Sequence, residues 1–71
     1  MDTLLEKPKF IFWQDSELWL GYLEDYPDYW TQGESEAELR ENLLDLYKDL
    51  SGGAIPNIRK VAELEIVWSN V

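Results

Sequence analysis

Two short runs, Lys9-Phe10-Ile11-Phe12-Trp13-Gln14 and Leu18-Trp19-Leu20-Gly21-Tyr22-Leu23, stand three residues apart, and nearly every position in both is aromatic or aliphatic. Such runs favour β-strands, because large and branched side chains pack well on a pleated surface. Successive strand residues point to opposite faces, so a hairpin built from these two runs is apolar on both sides. A turn of three residues, Asp15-Ser16-Glu17, pairs Gln14 with Leu18 and Trp13 with Trp19. That register places Phe10, Phe12, Leu18, Leu20 and Tyr22 on one face. Ile11, Trp13, Trp19 and Leu23 fall on the other, with a gap at Gly21.

The rest of the chain supplies one layer to cover such a ribbon. Residues 1–8 read as a loose lead-in closed by Pro8. Glu24-Asp25-Tyr26-Pro27-Asp28 reads as a loop, since proline disfavours helix before it and aspartate suits turns. Tyr29 to Gln32 can form a short third strand that Gly33 breaks. Ser35 and Glu38 form a capping box, with Glu34 and Glu36 at the positive end of the helix dipole. Leu39, Leu43, Leu46 and Leu50 then recur at helical spacing, widened by Leu44 and Tyr47, until Gly52-Gly53 and Pro56 end the helix. From Lys60 to Trp68 the pattern alternates, with Ala62, Leu64, Ile66 and Trp68 on one side and Glu63 and Glu65 on the other. This reads as a fourth strand. The order β-β-β-α-β predicts a two-layer α+β domain with a mixed four-stranded sheet in the order 3-2-1-4, the fourth strand arriving by a right-handed crossover.

A helix of 16 residues is about 24 Å long and about 10 Å wide, enough to cover one sheet face. The other face keeps large side chains, and each exposed aromatic presents about 150–250 Å². Together they exceed what a monomer usually leaves bare, which predicts a protein–protein interface. The alternative is that residues 1–8 and 54–60 fold across that face.

Composition narrows the chemistry. The chain has 71 residues, a single domain's length, with no cysteine and no histidine. A disulfide framework, a thiolate zinc site and an imidazole base are therefore all excluded. Fifteen acids against six bases give a formal charge of −9. Phosphate backbones require clustered cations, so direct nucleic-acid binding is not expected, whereas a basic protein is a matched partner. No apolar run is long enough to span a bilayer and the first residues lack a signal pattern, which leads to the expectation of a cytoplasmic protein.

The run from Gly21 to Leu50 resembles the N-terminal domain of the HicB antitoxin family. The matching positions are Gly21, Tyr22, Pro27, Asp28, Thr31, Gln32, Gly33, Glu34, Ser35, Ala37 and Glu38. They make up an aromatic strand, an acidic Pro-Asp loop and a Thr-Gln-Gly-Glu-Ser motif that opens an acidic, Leu-rich helix. With its flanks the resemblance covers about residues 9–68. It implies a partial ribonuclease H-like fold in a single domain, residues 1–71, that oligomerises and blocks a small basic HicA-type mRNA-cleaving toxin. The family loop commonly reads Pro-Asp-Leu-Pro-Gly-Cys, and here Tyr29-Trp30 replaces its last four residues. Nothing resembling the family's C-terminal DNA-binding domain follows Trp68, so no such domain is expected.

The candidate partner-binding residues are Glu24, Asp25, Tyr26, Asp28, Tyr29 and Trp30, a loop that mixes aromatic anchors with acids facing a basic surface. Ile11, Trp13, Trp19 and Leu23 are the candidate oligomer interface. Asp15, Glu24, Asp25 and Asp28 are the carboxylates that a metal-dependent nuclease would use, but the first strand carries Phe10, Ile11, Phe12 and Trp13 where such an enzyme wants an aspartate. The expectation is a binding protein that is not an enzyme, with no metal and no cofactor.

Overall fold

The computed structural model describes residues 5–69. Strand β1 spans Phe10–Asp15, β2 Leu18–Leu23 and β3 Trp30–Gly33, and the helix α1 spans Glu36–Ser51. The strands form one antiparallel meander in the order β1-β2-β3. The mixed four-stranded sheet of order 3-2-1-4 is not what forms: residues 60–68 carry the alternation of a strand but pair with none, and most of their side chains are exposed. Alternation states which faces a strand would have, but a strand also needs an edge brought within hydrogen-bonding distance.

The first hairpin corrects the register as well. Its turn is two residues long, Ser16-Glu17, with Ser16 at φ 57° in the left-handed region. Asp15 therefore opposes Leu18, Gln14 opposes Trp19 and Trp13 opposes Leu20. A slip of one residue turns a whole strand over, because the side-chain period is two. Phe10 and Phe12 consequently share a face with Trp19, Gly21 and Leu23, while Ile11 and Trp13 share one with Leu18, Leu20 and Tyr22.

Helix α1 lies across β2 and β3 on the Trp19–Gly21–Leu23 face. Its entry follows the capping pattern: Ser35 is extended (φ −144°, ψ 164°) and its Oγ accepts from the Glu38 N–H at 3.1 Å. At the other end the Gly52 N–H donates to the Lys48 carbonyl at 3.0 Å. Two glycines let the helix come this close. A Cβ on Gly33 would lie 2.6 Å from the Leu39 nitrogen, and one on Gly21 would lie 2.9 Å from the Ile11 carbonyl and 3.4 Å from Leu39 Cδ2. Leu39, Leu43 and Leu50 bury against Leu23 and Tyr26, with Phe10, Trp19, Tyr29, Leu46, Tyr47 and Ile58 packed around them.

The flanking segments both go to the helix side. Tyr47 Oη donates to Glu6 Oε2 at 3.0 Å, and Ile58 joins the core cluster. Among the described residues of 1–8 and 54–60, the contacts made by Glu6 and Ile58 are thus on the helix side, and residues 1–4 lie outside the described residues. Among the described residues no helix is long and apolar enough to cross a membrane.

Candidate protein-binding face

Strand alternation and the β2–β3 register collect three aromatic rings on the uncovered side of the sheet. Tyr22 opposes Trp30 directly across β2 and β3, and Trp13 reaches Tyr22 diagonally from β1. Trp30 stacks on Tyr22 with centroids 5.8 Å apart and planes 13° from parallel. Trp13 meets Trp30 edge-on at 5.0 Å and 82°, and Tyr22 at 6.1 Å and 69°. These are the tilted and offset arrangements that the ring quadrupole favours. Trp30 is further fixed by its indole Nε1–H, which donates to the Pro27 carbonyl at 3.0 Å.

The cluster is held from within yet open to solvent. Trp30 is 61% exposed, with Ile11 at 38% in the same cross-strand row and Leu18 at 39% toward the turn end of the same face. Asp15 closes β1 on this face and Glu17 lies in the exposed turn, while Asp28 sits in the loop just before Trp30. A rigid aromatic centre with acids at its margin has the anatomy of a binding surface: anchors that desolvate on contact and a rim that selects a cationic partner.

The loop candidates separate into two groups. Tyr26 is buried at 6% and Tyr29 packs against the core, the Tyr26 N–H bonding to the Leu23 carbonyl and the Tyr29 N–H to the Tyr26 carbonyl. These two tyrosines hold the loop to the body. Glu24, Asp25, Asp28 and Trp30 are exposed, and Asp28 faces Arg59 at 3.4 Å. The four interface candidates divide likewise: Ile11 and Trp13 lie on the open face, whereas Trp19 and Leu23 lie under the helix. Leu18, Leu20, Tyr22 and Trp30 complete the open face; the three-residue turn sets Leu18, Leu20 and Tyr22 on the face opposite Ile11 and Trp13 instead. The legible signal was glycine. Gly21 leaves room for a close approach, which marks its own face, with Trp19 and Leu23, as the one the helix takes.

The carboxylates do not converge. Asp15 ends β1 at the turn, while Glu24, Asp25 and Asp28 lie at the opposite end of a sheet about 20 Å long. Among the described residues no three side chains of metal-ligating type come together. The phenol of Tyr47 is the group whose titration is displaced: its hydrogen bond to Glu6, then desolvation and the nearby negative charges, raise it above the usual tyrosine value. On the helix, Arg40 bonds Glu36 at 3.1 Å and lies 5.2 Å over the Phe10 ring.

Comparison with protein-family models, with curated proteins and with solved structures gives no match.

Proposed function

We propose that this chain is an acidic protein-binding module that acts by occlusion, with no chemistry of its own. The observation that carries this reading is the Trp13–Tyr22–Trp30 cluster, three packed rings on the sheet face opposite the helix, with Trp30 61% exposed. A net charge of −9 selects a basic partner and speeds encounter with it. The Pro27-Asp28 loop and the Thr31-Gln32-Gly33-Glu34-Ser35 motif resemble those of HicB antitoxins, so the partner proposed is a small basic RNA-cleaving toxin of the HicA type, met in the cytoplasm. The protein would cover the toxin's RNA-binding surface.

The test is co-expression with a short Lys/Arg-rich polypeptide encoded beside it. The reading predicts a complex that protects RNA from cleavage, and protection that fails in Trp30→Ala combined with Asp28→Lys. A complex formed equally well by that double variant would remove the open face from the mechanism. Self-association is the second reading, favoured by the apolar residues Val61, Leu64, Ile66, Val67 and Trp68, all left exposed.

A further inference from the structure

From residue 62 onward the chain leaves its own body. Up to that point it is held: Ile58 packs on the core, Arg59 faces Asp28 at 3.4 Å, and the Val61 N–H donates to the Asp25 carbonyl at 3.0 Å. Beyond it, residues 62–69 run exposed, with Leu64 at 85% and Trp68 at 85%. The radius of gyration is 15.9 Å. A compact domain of this length has one of about 11 Å. The arm is strand-like in pattern, spaced Ala62, Leu64, Ile66, Trp68, and no strand of its own sheet receives it.

The body carries a matching vacancy. Among the described residues, in the order β1-β2-β3, strand β1 has one edge without a neighbour, and its backbone groups there are a template for another strand. Helix α1 packs over β2 and β3 and reaches β1 at Phe10, over which Arg40 lies. Between them lies a cleft of about 170 Å³ lined by Pro8, Phe10, Leu23, Leu43, Leu44 and Tyr47, with Arg40 at its side. The other edge, β3, suits a strand less well: it is four residues long, and Asn42 Nδ2 already donates to the Gln32 carbonyl at 2.7 Å.

We infer that the arm of one copy, residues 62–69, docks along the free β1 edge of a second copy, and that the apolar side of the arm fills that copy's cleft. The lengths agree, since eight extended residues reach about 26 Å and the six of β1 span about 20 Å. The chemistry agrees as well. Leu64, Ile66 and Trp68 meet a cleft of leucine, phenylalanine and proline, and Glu63 and Glu65 meet an edge that begins after Lys7 and Lys9. The exchange is reciprocal, so two arms make one closed dimer. It rests on the self-association reading and gives it a definite surface, apart from the Trp13–Tyr22–Trp30 face.

The test compares full-length chains by sedimentation at about 100 µM. The wild type is expected to be a dimer, and Leu64→Glu with Ile66→Glu, placed on exposed positions that do not touch the folded body, to weaken it at least tenfold. The absence of native cysteine gives a second readout. Chains carrying Leu44→Cys alone and Leu64→Cys alone, mixed and oxidised, are expected to form a covalent dimer with one chain of each kind. A wild-type monomer overturns both this inference and self-association. A dimer indifferent to the arm substitutions overturns the arm alone. So does a chain with both cysteines that links internally and runs as a monomer.

Discussion

The two faces of this sheet are built from the same strands and the same kinds of side chain, yet the helix packs on only one of them, and even there Phe12 stays 43% exposed. On one, Phe10, Phe12 and Trp19 lie in a row, with centroids 5.4 and 6.1 Å apart, and Leu23 closes against Leu39 and Leu43. On the other, Trp13, Tyr22 and Trp30 pack on one another, away from the helix. Hydrophobicity does not separate them. Backbone access does: Gly21 and Gly33 lie on one face only, and there the helix can approach to van der Waals distance. Aromatic content alone therefore does not tell a core from a docking surface.

That contrast can be broken most forcefully from the covered side. Leu39 is completely buried, and Leu39→Ala removes its contacts and leaves a cavity, at a cost of about 2–5 kcal/mol. A chain of this size has roughly 4–11 kcal/mol to lose. Urea denaturation should show a large fall in midpoint, and an unchanged midpoint would mean that the helix is not what stabilises that face.

Next in size is the open side. Trp30→Ala should lower the urea midpoint less than Leu39→Ala does, since the ring is largely in solvent and loses only its contacts with Tyr22, Trp13 and the Pro27 carbonyl, while weakening partner binding by about 30-fold, the scale of an interface hot spot. Equal losses in stability and in binding would mean that the two faces do not differ in role. Ser35→Ala should cost about 1 kcal/mol by freeing the Glu38 N–H that the hydroxyl now satisfies. This loosens the covering layer without touching either face, so partner binding measured below the melting range should not change.

The smallest effect concerns the lead-in, which is drawn to the helix side by Tyr47 and Glu6. Because the folded state raises the Tyr47 value above 10.0, its contribution is complete below that pH and is lost as pH climbs through the raised value. A tyrosinate absorbance titration should show one late-ionising phenol, absent in Tyr47→Phe and moved back down in Glu6→Gln. A titration curve identical in wild type and Glu6→Gln would detach residue 6 from the helix.

Local elements were legible because local chemistry specifies them. Ser35 and Glu38 located the helix start, the leucine spacing its buried stripe, and Gly52-Gly53 its end. The strand pair 10–15 and 18–23 was equally plain. What failed were the features that depend on partners distant in sequence. Asp15-Ser16-Glu17 admits a two-residue or a three-residue turn, and only the strands closing around Ser16 choose between them. Lys60 to Trp68 alternates as a strand should, yet it pairs with no strand of its own sheet, because pairing also requires the segment to be brought alongside an edge. The interface candidates inherited the register error: Ile11 and Trp13 lie on the open face, while Trp19 and Leu23 lie under the helix.

The sequence by itself determined that a helix and a doubly apolar hairpin must share one small acidic body, because propensity, capping and periodicity act over a few residues. Which aromatics meet solvent, and where residues 62–69 go, was decided by the tertiary structure alone. One residue of register exchanges the faces of a strand, and that choice is made by contacts between segments, through the steric room that Gly21 and Gly33 leave for Leu39.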